Sequence, residues 1–295
     1  LDASHPERTA FVLTGGGSLG AVQVGMLAEI LAAGERPDYV VGVSAGAING
    51  AFLAHDPSAA NVARMAQIWS RVTTREALGL SLRSLFGVLG LRDHIANPAG
   101  LRSLLLRELR CRRFEQTAVP LHVLCAELVT GDEVLLSSGD LIEAILASAA
   151  IPGVFPPVPI AGRALVDGAV AAASPIAVAL RLGATRLVVL PCGFACARQS
   201  VSRRALGRAM HAITLLGARQ LRQDYERYAQ QATIRIVPPL CPLDWSSYDY
   251  SGGVQLIERA RASTRQWIES GGLAEDVFPA PLTEHSHGAH GEVIA

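Results

Sequence analysis

The chain has 295 residues, half of them hydrophobic, enough to bury the core of one large α/β domain, and its 26 basic and 26 acidic side chains cancel to a formal net charge of zero. That balance leaves no global electrostatic case for a nucleic-acid partner or an anionic membrane surface. No lysine occurs, which excludes a P-loop lysine, a Schiff-base lysine and any Ser-Lys dyad and, with the abundance of alanine, points to a GC-rich bacterial genome.

In chain order, residues 9–14 read as a buried strand, followed by glycines at 15, 16, 17 and 20 and a helix over 21–32. A short β-branched strand over 38–43 and a helix over 45–54 complete a βαβ unit, whose parallel strands open on one carboxyl edge. Residues 59–72 are helical in pattern, and 75–106 are rich in Leu, Gly and Arg, as a core helix or as a movable apolar cover over a site. A hairpin is expected from 121–128 and 133–137, then a helix over 141–149 stopped by Ile151-Pro152-Gly153. Strands over 164–166 and 187–191 and helices over 200–231 and 254–270 follow; the tail after 278, with His285, His287 and His290, has no apolar period and reads as disordered.

Cys111, Cys125, Cys192, Cys196 and Cys241 form no regular framework, and their odd number argues for free buried thiols in a reducing cytoplasm. The Cys192/Cys196 spacing suits zinc, but no second pair or nearby histidine completes a tetrahedron, so no metal is expected. There is no charge-free apolar run of about 18 residues and no signal-peptide pattern. The expected location is cytoplasmic, with transient contact at a membrane surface.

The glycine stretch "TGGGSLG" admits two uses. Gly15-x-Gly17-x-x-Gly20 matches a dinucleotide fingerprint, with a pyrophosphate on the helix N-terminus. The same N–H groups could instead hold a transient oxyanion. "GVSAG", Gly42 to Gly46, favours the second: it stands between a strand and a helix, where a sharp turn presents Ser44 as a nucleophile and the flanking glycines let the two backbones pass. A dinucleotide site would need an acid at that strand's end, but Asp38 stands at its beginning. For the base, Asp167 in "ALVDGAV" lies at a strand's carboxyl end; an Asp before Gly is often only a turn cap, and burial would have to raise its pKa. His55, His94, His122 and His211 follow no clear strand end, and His122 and His211 read as structural.

The ordered trio "GGGSLG", "GVSAG" and "DGA" resembles the patatin-like phospholipase family, whose serine and aspartate form a dyad without histidine, and the stretch from "TGDEVLLSSGDL" through "ALVDGAV" is similar to bacterial members. The resemblance implies a three-layer α/β/α fold with a mainly parallel central sheet, as one domain over 1–278. It also implies Ser44 as nucleophile, Asp167 as base, the amides of Gly15, Gly16, Gly17 and Ser18 as oxyanion hole, and Gly20, Gly42, Gly46 and Gly168 as motif glycines. The substrate would be a fatty-acyl ester or phospholipid, with no metal or organic cofactor and with residues 78–91 as a wall for the acyl chain. Leu19 stands where members often carry a basic residue, Thr14 where they often carry an acid, and "VAAASPI" lacks their frequent asparagine. Two rivals stay open: an NAD(P)-binding oxidoreductase using the glycine loop, and a lipid-binding protein that keeps the fold without turnover.

Overall fold

β1 (Thr9–Leu13) is buried at every position, as a strand covered on both faces must be. In the computed structural model, which describes residues 7–79, 94–171, 175–193, 205–243, 245–275, 278–282, 286–287 and 293–294, β1 pairs in parallel with β2 (Tyr39–Val43) and β7 (Arg186–Leu190). β3 (Leu121–Glu127) extends the sheet beside β2, and β8 (Thr233–Ile236) beside β7, so the parallel strands run β3-β2-β1-β7-β8. β4 (Glu133–Leu136) and β6 (Arg163–Asp167) pair antiparallel with β3, and β5 (Val158–Ile160) with β6.

Alternate strand residues feed two cores, as the two-residue period requires. Phe11, Leu13, Val40 and Leu190 face the first, Ala10, Val12, Val41 and Val189 the second. The first is covered by α1 (Gly20–Ala32), α2 (Ala45–His55), α3 (Ala59–Arg71), α4 (Thr74–Leu78), α5 (Ala99–Glu108), α6 (Leu141–Ser148) and α9 (Gly253–Glu269). α7 (Ile176–Arg181) and α8 (Ala205–Tyr228) cover the second. This is the three-layer α/β/α arrangement with a mainly parallel sheet that the resemblance implied.

Several elements differ from the sequence expectation. A 3-10 turn, Gly17–Leu19, precedes α1. β5 and β8 are too short to show a period, and β5 carries a proline, which a sheet edge tolerates. The tail expected to be disordered begins with a packed turn, Ala280–Leu282: Leu282 is buried and Phe278 leans on the same core. Two anchors four residues apart set no period that a sequence reading could detect. Further on, Ser286–His287 pairs antiparallel with Val293–Ile294. Residues 80–93, the middle of the stretch 75–106 read as core or cover, lie outside the described residues, as do Cys196 and the start of the helix expected from 200. No helix among the described residues is long and apolar enough to cross a membrane.

Candidate active site

The register Leu13↔Gly42 brings β1 and β2 to the same sheet edge, and the chain turns there into α2 with no linker. Ser44 makes that turn with φ 53° and ψ −120°, a conformation that L residues rarely adopt. Its neighbours explain the geometry. A β-carbon at Gly46 would collide with the Leu13 carbonyl, and one at Gly42 with the Gly46 carbonyl, so both glycines are there for clearance between crossing backbones. Ser148, the last residue of α6, holds the turn in place. Its hydroxyl accepts the Ser44 N–H at 2.9 Å and donates to the Leu124 carbonyl at 2.6 Å.

Asp167 reaches Ser44 through strand register. β4 occupies one side of β3 throughout residues 123–126, which leaves β2 and β6 on the other side. Val43 pairs with Leu124 and Asp167 with the next residue, Cys125. β2 and β6 therefore meet end to end along one edge of β3, and their last residues deliver Ser44 and Asp167 to the same point. Gly168 closes this junction, since a β-carbon there would strike the Leu124 carbonyl.

The Asp167 carboxylate is buried, 4% exposed, and accepts the Ala169 N–H at 2.9 Å. Burial raises its pKa from 3.8 to about 6, against the opposing pull of the Ala169 N–H and of the Ser44 side chain beside it. An aspartate of that pKa is ionised at neutral pH and is a stronger base than a solvated one.

The glycine loop is held from behind by buried polar groups. Gln23 donates to the Thr14 carbonyl at 2.9 Å and to the Leu190 carbonyl at 2.8 Å, joining the ends of β1 and β7. Gln23 in turn accepts from Asn49, which accepts from the Trp69 indole at 2.8 Å. The Trp69 ring also fills the space over Gly20, where no β-carbon fits. On the other flank, Cys192 donates its N–H to the Thr14 hydroxyl at 3.1 Å and its thiol to the Thr14 carbonyl at 3.1 Å.

Among the described residues, none accepts a hydrogen bond from the N–H groups of Gly15, Gly16 or Gly17. Ser18 corrects the expectation of a fourth free amide: its N–H donates to the Ser247 carbonyl at 2.9 Å and its hydroxyl to the Ser246 carbonyl at 2.9 Å. Gly17 has φ 59°, and a β-carbon there would meet the Ser247 carbonyl. Gly16 is different. Its φ of 166° lies outside the left-handed region, and a β-carbon there would collide with the Cys192 β-carbon.

Two cavities share Ser44, Gly17, Ile151, Ser247 and Tyr248. One is walled by apolar groups such as Phe52, Met65, Ile68, Trp69, Leu104 and Phe155. The other, the larger of the two, takes in Thr14, Gly15, Gly16 and Asp167, with Val170 and Leu216 exposed at its rim. Of the segment 78–91 expected as an acyl-chain wall, Leu78 lines the apolar cavity and residues 80–91 lie outside the described residues.

No histidine lines either cavity among the described residues. His122 is packed edge-on against Tyr39 at 5.6 Å, its ring nitrogen 2.6 Å from the Ser137 hydroxyl. Asp38 accepts the Thr9 N–H at the opposite end of β2, so no acid stands where a dinucleotide ribose would need one. Cys111, Cys125 and Cys192 are buried free thiols and Cys241 is half-buried. Sequence reasoning missed Ser148, Ser247 and Tyr248. The first is one serine in an alanine-rich helix end, and the others reach the site only through tertiary packing.

A patatin-type α/β/α scaffold with a serine elbow, a glycine loop and a buried aspartate at one sheet edge defines the class. The sequence pattern described as patatin-like phospholipase matches residues 11–180, and the chain belongs to that family. It is 29% identical over 189 residues to Neuropathy target esterase sws of Drosophila melanogaster, and 28% identical over 191 residues to Patatin-like phospholipase domain-containing protein 7 of Rattus norvegicus. Each match covers 62% of this chain and 13% of the relative, so the likeness is confined to a small part of those proteins. The solved structure of human GIVD cytosolic phospholipase A2 in complex with methyl gamma-linolenyl fluorophosphonate shares the fold, with a TM-score of 0.51 at 12% identity over 91% of this chain and 59% of that one.

Proposed function

We propose that the protein hydrolyses lipid acyl esters through Ser44 and Asp167. Asp167 takes the Ser44 hydroxyl proton as Ser44 attacks the ester carbonyl, and the N–H groups of Gly15, Gly16 and Gly17 receive the oxyanion. The protonated Asp167 then donates to the departing alcohol, and water repeats the sequence on the acyl-enzyme. The acyl chain lies in the apolar cavity, and the alcohol leaves through the wider cleft. One observation carries this reading: a buried carboxylate with a pKa of about 6 stands beside a serine held in a strained turn. Family membership and the esterase and phospholipase names of the relatives support an ester substrate.

The test joins labelling to a pH profile. A long-chain fluorophosphonate should label Ser44 and no other serine. kcat/KM for a p-nitrophenyl acyl ester should fall as pH drops through about 6, because the base works only when ionised. An unlabelled Ser44, or a rate unchanged between about pH 5 and 8, would count against the assignment.

A further inference from the structure

Tyr248 takes no part in these proton transfers, yet its hydroxyl is buried with no hydrogen-bond partner among the described residues. Such an atom costs about 1–3 kcal/mol unless something pairs with it. Its position is built rather than incidental. The Ser247 carbonyl is tied to the Ser18 N–H at 2.9 Å, and the Tyr248 carbonyl accepts the Thr74 hydroxyl at 3.1 Å, which anchors the segment to the glycine loop and to α4. Tyr248 lines both cavities, together with Ser44 and Gly17. Burial, then Tyr250 and the charge of Asp167, push the phenol pKa upward, so the group stays protonated as a donor.

Resting on the hydrolytic reading of Ser44 and Asp167, we propose that the Tyr248 hydroxyl positions the substrate by donating to an oxygen on the alcohol half of the ester, one carbon beyond the scissile linkage, and so selects glycerol-type esters. The acyl chain carries no acceptor beyond the carbonyl, and the carbonyl oxygen turns toward the glycine loop. An acceptor for this phenol must then come from the alcohol. Glycerol esters supply one there whether that oxygen is free, acylated or phosphorylated.

Monooctanoylglycerol and propyl octanoate share the acid and a three-carbon alcohol and differ only in two hydroxyls, so they isolate the contact. In the Tyr248→Phe variant, the ratio of kcat/KM for the glycerol ester to that for the propyl ester should fall about tenfold, the scale of one hydrogen bond. Its thermal midpoint should not fall, because no protein partner is lost. An unchanged ratio overturns the proposal: equal losses would put the phenol on the shared carbonyl, and no loss would leave it without a ligand. A lowered midpoint would overturn it too, by revealing a structural partner. Fluorophosphonate labelling of Ser44 in both proteins keeps the two readings apart. Labelling with an unchanged ratio rejects only the Tyr248 role, whereas no labelling of the wild type rejects the hydrolase reading and the Tyr248 role with it.

Discussion

The turn after β1 and the turn after β2 leave neighbouring parallel strands at one sheet edge. Both contain glycines, yet the left-handed backbone falls on Gly17 in the first and on Ser44 in the second, at φ 59° and 53°. Glycine adopts such a conformation freely, while a residue with a β-carbon bears about 1–3 kcal/mol of strain there. The first turn consequently exposes backbone N–H groups and stores no strain. The second presents a side chain and does store it, held by the Ser148 hydroxyl and by glycines whose only service is clearance. A glycine-rich turn can thus be built to show backbone or to show one hydroxyl, and where the positive φ falls distinguishes the two.

The largest effects should come from the second turn. Ser44→Ala and Asp167→Asn should each lower kcat for a p-nitrophenyl acyl ester by about ten-thousandfold or more, and the double variant should be no slower than the worse single, because in the proposed mechanism the pair acts as one unit. A double variant far slower than both would show two independent contributions. A smaller loss is expected from the first turn. Gly16→Ala should cut kcat by about a hundredfold to a thousandfold, the scale of one oxyanion donor, with KM little changed. Since the Cys192 side chain occupies the space that an alanine β-carbon at Gly16 would take, Cys192→Gly in the same chain should restore most of the rate. Failure of that rescue would move the cause from packing to the backbone itself.

The difference between the turns also marks what a sequence can reveal. β1, β2 and the helices after them were legible because buried parallel strands are continuous apolar runs and their turns are marked by glycine. Ser44 and Asp167 were legible as motif residues at strand ends. Their meeting was not, because it depends on β2 and β6 sharing one edge of β3, a matter of register between segments more than a hundred residues apart. Four consecutive N–H groups from Gly15 to Ser18 look equivalent in one dimension, and only the packing of Ser247, far along the chain, removes the last of them. Gly16 likewise looks like a conformational glycine until Cys192 is seen against it. Tyr248 had no local signal, since an isolated tyrosine in a loop is unremarkable until its hydroxyl is found buried without a partner in a residue that lines both cavities.

The smallest effect is the one that tests the stored strain directly. Ser44→Gly and Ser44→Ala both lack the proposed nucleophile, so both should be inactive, and they differ in whether the turn retains a β-carbon. Glycine should release about 1–3 kcal/mol of backbone strain. It gives back about 0.4–1 kcal/mol because the unfolded chain gains freedom. The balance makes Ser44→Gly more stable than Ser44→Ala by roughly 1–2 kcal/mol in a urea titration. Gly17→Ala should move the other way, losing at least about 1 kcal/mol, since it adds strain at φ 59° together with a collision at the Ser247 carbonyl. Equal stability of the two Ser44 variants would mean that the elbow is relaxed, and the contrast between the two turns would then lie only in what each presents to the cleft.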